Sequence, residues 1–279
     1  MTGNRVAPTT TATPARVRLF QPTQRPTAAA GEWMVTSWGR CRVTGRLGQR
    51  HADLIESVLF CAEKRREIGG GQIELLVDPA RVRSSISAAG YSLEQVWKLI
   101  GEVRSANVEI ETRSMKILGG LIESVVMTKS TRVNPLGGER QLWTVRLGQP
   151  LCEMLRQDLP RYYNPSPVAR LQHGISQAVA RHILTHQHQP RDGWTLDRLI
   201  KAVTGDLARQ SLWNARRRLR EDADGLLEIG ILIHENRVTL PHPPDALPHP
   251  PDALPHPPDA CHTRPMVAGF SGISGRAAG

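Results

Sequence analysis

Hydrophobic positions along the chain switch between helical and strand periods in an order that repeats once between residues 31 and 240. In the first half Ala52, Ile55, Leu59 and Ala62 place an apolar stripe on a helix expected over 49–67, which Gly69-Gly70-Gly71 would end. A strand follows over 73–77. Asp78-Pro79 then starts a short helix to about residue 88, and Ser92 caps a longer one in which Leu93, Val96, Trp97, Ile100 and Val103 share a face. Residues 108–112, 118–127 and 141–147 read as a three-stranded antiparallel set, with Asn134-Pro135-Leu136-Gly137-Gly138 as a turn. Three helices followed by a sheet is the order of a winged helix.

The second half begins after Pro160 and Pro165, with Ser166 as a cap and Pro167 at the first helical position. Val168, Leu171, Ile175, Val179 and Ile183 predict one helix to about residue 185. A second helix is expected over 196–203, capped by Thr195 and stopped near Gly205. Asp206 would open a third, over 207–222, and 226–233 with 237–240 would form a hairpin around His234-Glu235-Asn236. The sequence therefore predicts an α+β chain of two tandem winged-helix domains, over 31–160 and 161–240.

The two ends read differently. Residues 1–30 hold Arg5, Arg16, Arg18 and Arg25, no acid and little core material, which predicts a disordered, mobile basic arm whose charge helps bind phosphate. Residues 240–260 are Leu-Pro-His-Pro-Pro-Asp-Ala written three times without a change. Three prolines in seven residues exclude helix and sheet ladders, so 241–279 is expected to be a disordered Pro-rich tail.

Charge narrows the partner. The chain of 279 residues carries 36 Lys and Arg against 26 Asp and Glu, a net +10. Within 31–240 a surplus survives, 30 basic residues facing 23 acidic ones, so the excess is not confined to the ends. Such a balance favours a polyanion such as DNA or RNA. No run of about 18 apolar residues exists to span a bilayer and no secretory pattern opens the chain, so the expected location is cytoplasmic, away from any membrane. Four cysteines at 41, 61, 152 and 261 form no C-x-x-C pair, which argues against a zinc ribbon and fits a reducing compartment.

The third helix of the second half is the candidate DNA reader. With Leu212, Ala215 and Leu219 inward, its other side presents Gln210, Asn214 and Arg217, flanked by Trp213, Arg218 and Arg220. Asn and Gln can bond adenine in a bidentate way and Arg can bond guanine, each pair giving about 1–3 kcal/mol of discrimination. Arg209 and Arg216 lie nearer the core edge and are expected to clamp phosphates, Arg237 to reach a groove or phosphate from the hairpin, and Trp213 to pack inward. On the equivalent helix of the first half, Gln95 and Lys98, with Arg104, form a secondary contact candidate.

Enzymatic chemistry is not readable. The only Lys followed by Ser or Thr is Lys129-Ser130, preceded by Thr128, so no phosphate-cradling loop is present. His186-Gln187-His188 and Tyr162-Tyr163 offer the spacing of a rolling-circle nickase, but with a polar centre between the histidines. His182 and His186 could share an ion, though no Cys or carboxylate pair lies near in sequence. No catalytic residue, metal site or cofactor is expected. A winged-helix transcriptional regulator remains the principal alternative, and a nickase the lesser one.

The segment Asn164-Pro-Ser-Pro-Val-Ala-Arg-Leu171 resembles the start of the second winged helix in plasmid replication initiators of the iteron-binding, IncQ-type and TrfA-like kind, with Ser166, Ala169 and Arg170 matching. Trp194-Thr-Leu-Asp-Arg-Leu199 is similar to the family's second helix. Trp213 to Glu221, followed by Leu226-Leu227-Glu228-Ile229, is similar to its recognition helix and wing. The likeness spans about residues 45–240 and is strongest after Tyr162. It implies binding of double-stranded DNA at directly repeated origin sequences, opening of the adjacent duplex, and recruitment of a plasmid or host replicative helicase and primase. It also implies a switch between monomer and homodimer, with the first winged helix as the dimerising surface.

Overall fold

The chain begins its ordered course earlier than its composition suggests. The computed structural model describes residues 6–86, 90–133 and 139–240, all within one compact unit. In it Thr10–Thr11 form strand β1, followed by the short helix α1 over Ala12–Arg16. β1 pairs antiparallel with Pro160–Arg161, and Ala7, Val17, Leu19 and Phe20 are buried in the first hydrophobic core. The expected basic arm is thus folded over the residues described. Its few apolar side chains show no period, but linker carbonyls accept its backbone N–H groups, as from Thr9 N to Arg161 O at 2.9 Å.

Strands β2 (Ala29–Ala30), β3 (Met34–Val35) and β4 (Arg40–Gly45) precede helix α2 (Gln49–Phe60), which is buried along nearly its whole length. Here the expected helix over 49–67 stops short. Beyond Phe60 the apolar stripe ends, and Ala62–Ile68 form strand β5, antiparallel to β6 (Gln72–Val77). Gly70 and Gly71, at φ of 75° and 72°, make the tight connection between them rather than a helix end.

Helices α3 (Pro79–Ser85) and α4 (Leu93–Ser105) start where their caps predict. Asp78 Oδ1 accepts from Ala80 N at 2.8 Å, and Ser92 with Gln95 forms a reciprocal capping box. The three-stranded set anticipated after them is instead divided between two sheets. β7 (Asn107–Glu111) and β8 (Lys116–Gly119) complete a sheet of order β2-β4-β7-β8, with β3 also on β4. β9 (Ile122–Val133) and β10 (Glu139–Leu147) join the order β5-β6-β10-β9. The chain leaves one sheet for the other at Gly119-Gly120, and the expected turn at 134–138 lies outside the described residues. Helix α5 (Gln149–Gln157), absent from the sequence reading, leads to β11 (Pro160–Arg161).

The second half gathers a separate core from Val168 to Val238. Its expected first helix is broken into α6 (Ser166–Ala169) and α7 (Gly174–Leu184), with Pro165 rather than Ser166 at the cap position. The cause is Asp222, a buried carboxylate that accepts from Gln172 N at 3.0 Å and His173 N at 2.9 Å. β12 (Trp194–Thr195), α8 (Leu196–Thr204) and α9 (Arg209–Glu221) follow. The stretch expected as strand from 226 is helix α10 (Ala223–Glu228), and only then come β13 (Leu232–His234) and β14 (Arg237–Thr239). The three strands form a sheet of order β12-β14-β13.

Between the two cores lies a buried polar seam. Arg181 of α7 bonds Asp53, Glu56 and Gln49 of α2, and Tyr163 Oη donates to Glu56 Oε1 at 2.7 Å. Ser85 and Ser166 hydroxyls meet at 3.0 Å beside it.

Candidate nucleic-acid interface

Helix α8 turns Leu196, Leu199, Ile200 and Val203 inward and ends at Gly205, whose φ of 80° lets the chain reverse into α9. α9 begins at Arg209, two residues later than expected, because Ala208 takes the cap position and Asp206 is drawn instead to Lys201 Nζ at 2.6 Å. Ala215 and Leu219 are buried and Leu212 packs against the same core, as the helical spacing requires.

This orientation sets the outer face. Gln210, Arg217, Arg218, Arg220 and Arg209 are exposed, and Asn214 is half-buried among them. Among the described residues Arg209, Arg218 and Arg220 have no ion-pair or side-chain hydrogen-bond partner. Arg217 is loosely held, its Nε 3.6 Å from Glu221 Oε1 and its guanidinium 5.6 Å from the centre of the Trp213 ring. Trp213 is 54 % exposed, which corrects the inward packing expected of it. The ring stands beside Arg217 on the outer face.

Arg216, expected to clamp phosphate, is ion-paired within the protein while staying partly exposed. Its Nε and Nη2 reach both oxygens of Asp197 on α8, at 2.7 and 2.5 Å. That bidentate bond holds the Asp197 carboxyl below the usual carboxylate range and raises Arg216 in turn. The pair fastens α8 to α9. Arg237 opens β14 rather than capping the hairpin, whose turn is Glu235-Asn236, and it donates from Nη1 to Asp192 O at 3.2 Å while staying exposed. Arg191 and Arg198, on the loop before β12 and on α8, are further exposed cations of the second half that sequence reasoning passed over.

The first-half candidates are less well placed. Gln95 is exposed, and its Oε1 accepts from Ser92 N at 2.7 Å, so the amide oxygen is engaged in capping α4. Lys98 is exposed, but its neighbours on α4 are Leu93, Glu94 and Trp97. Trp97 stands edge-on to Trp143, centroids 5.4 Å apart, in a groove of about 570 Å³ that Leu93 and Met127 also line. Arg104 is engaged through Nε with Glu123 O at 3.0 Å.

The Tyr163 hydroxyl bonds Glu56 and is raised well above its ordinary value by burial, whereas Tyr162 is exposed. His186 Nε2 meets His182 Nε2 at 3.2 Å, rather than pairing with His188. Among the described residues no three His, Cys, Asp or Glu side chains converge as metal ligands. Burial pushes the Cys41 and Cys61 thiols up to about 11, so both stay protonated. Among the described residues, no helix is long and apolar enough to cross a membrane.

Small antiparallel sheets and helices set around two adjacent cores define an α+β chain whose fold is shared with a known pair of domains. That pair is domains 2 and 3 of RctB: a crystal structure of their selenomethionine derivative superposes with a TM-score of 0.51 at 10 % identity, over 84 % of this chain and 96 % of that one. A second crystal structure of RctB domains 2-3 gives a TM-score of 0.45 at 10 % identity, over 80 % and 94 %. No protein-family model matches the chain, and no curated protein sequence does.

Proposed function

We propose that this protein is a replication initiator that binds repeated sequences in double-stranded DNA through its second half, a winged helix. In this reading α9 enters the major groove. Gln210, Asn214 and Arg217 address base edges, Arg209, Arg218 and Arg220 hold phosphates, and the β13–β14 hairpin with Arg237 is the wing. The observation that carries the reading is that Arg209, Arg218 and Arg220 have no partner among the described residues on α9, the helix that follows a glycine turn and precedes a β-ribbon. The Asn164-to-Leu171 resemblance to replication initiators, beside a fold shared with RctB domains 2 and 3, supports replication as the setting. The first half, a second winged helix in this reading, would add affinity by raising the local concentration of one module once the other is bound. Duplex opening, helicase and primase recruitment, and homodimerisation belong to the same proposal.

Selection of bound duplexes from a random pool by the full-length protein tests it. Direct repeats of one motif are expected. Recovery of inverted repeats would favour a transcriptional regulator, and no enrichment would overturn the proposal.

A further inference from the structure

The residues with positive φ point to a contact that the α9 reading does not include. Among the described residues only two that are not glycine take this conformation, Arg18 at 53° and Glu235 at 52°. An L-residue there is strained, and such strain persists only where the surroundings impose it. Glu235 sits in the turn of the β13–β14 hairpin. Arg18 lies far away in sequence, yet its side chain crosses the turn between α8 and α9. A methyl group placed on Gly205 would stand 2.5 Å from Arg18 Nη1, so the guanidinium lies directly against the backbone of this turn.

The seat is rigid and the charge is unspent. Val17 and Leu19 on either side of Arg18 are buried, which pins its backbone while the side chain remains exposed. Arg16, the neighbouring cation, is consumed by Thr185 O at 2.8 Å and Thr185 Oγ1. Arg18 has no such partner among the described residues, and Asp206, the carboxylate of the same turn, is taken by Lys201. An unpaired guanidinium on a fixed backbone, lying beside the entry to α9, is available to an anion supplied from outside.

We propose that Arg18 is a DNA-backbone contact, delivered by the N-terminal segment to the α8–α9 turn so that a phosphate flanking the α9 site is held between the two halves of the chain. This rests on the reading of α9 as the DNA helix. It predicts a sequence-independent contact, since a phosphate carries no base information.

Affinity for a selected duplex, measured against NaCl concentration with the full-length protein, tests it using Arg18→Ala, Arg18→Gly and, as a control on α9, Arg218→Ala. Loss of one phosphate contact lowers the magnitude of the log–log slope by about 0.9. Arg18→Ala should show that loss and weaken matched and scrambled duplexes by the same factor. Arg18→Gly should lose the same slope while melting no lower than wild type, because glycine relieves the strained φ, and this separates a phosphate contact from a packing role. If both Arg18 variants keep the wild-type slope while Arg218→Ala reduces it, Arg18 is only a structural strut and the inference fails with the α9 reading intact. If all three keep the slope, the α9 reading itself fails.

Discussion

Arg181 Nε donates to Glu56 Oε1 across 3.0 Å, a bond that joins α7 of the second half to α2 of the first. The same guanidinium reaches Asp53 Oδ1 at 2.5 Å and Gln49 Oε1 at 2.6 Å, and both carboxylates are buried. One cation is thus shared between two buried acids at the junction of the cores. Removing one partner of a buried pair typically costs about 3–5 kcal/mol, because the surviving charge is left uncompensated. Arg181→Leu should lose stability of that order in denaturant unfolding. It should also separate one unfolding transition into two, as the halves lose their fastening. A loss under about 1 kcal/mol with a single transition would contradict this account of the junction.

The same seam gives a pH dependence. Burial raises Asp53 to about 6, against the opposing pull of Arg181. The folded state therefore holds a proton that the unfolded chain releases near pH 4, and this contribution to stability is lost as pH rises from about 4 to 6. His182 behaves oppositely. Burial first, and then His186, push it down to about 4, so its contribution is present above pH 6.5 and is lost as pH falls towards 4. The two contributions oppose each other over the same window, so Asp53→Asn should make the melting temperature rise more steeply with pH between about 4 and 6, and His182→Gln should make it rise less steeply or fall. Parallel profiles for wild type and both variants between pH 4 and 7 would refute both assignments.

Arg216 and Arg217 are adjacent, yet they should respond differently. Arg216 is tied to Asp197 in a half-exposed pair, a contact of at most about 1 kcal/mol, so Arg216→Ala should trim stability slightly and weaken all duplexes alike. Arg217→Ala should instead relax preference at one base position by about 1–3 kcal/mol. Comparing affinities for a panel of single-base variants distinguishes the two, and identical profiles would undo the face assignment.

Much of this interface was legible because its signals are local. Leu196, Leu199, Ile200 and Val203 repeat at helical spacing, Gly205 marks the stop, and the α9 core stripe fixes by geometry which residues face outward. What escaped depended on distant partners. Nothing near Gln172 announces that Asp222, fifty residues on, will break the helix by capping α7. The run from Glu63 to Glu67 is too polar to show any period, and it becomes a strand only because β6 lies beside it. The N-terminal segment reads as an arm because its order comes from β11 and the first core rather than from its own pattern. Trp213 was misplaced for a related reason: a large aromatic usually buries itself, but here it supports Arg217 on the outer face.

The central claim is that α9 meets duplex DNA through its unpartnered arginines, and its most direct measurement is the salt dependence of binding for wild type and the Arg218→Ala, Arg220→Ala double variant. A protein neutralising roughly eight phosphates should show a log–log slope near −7, and the double variant should be shallower by about 2. Binding that ignores ionic strength, or a slope that the double variant leaves unchanged, would contradict it.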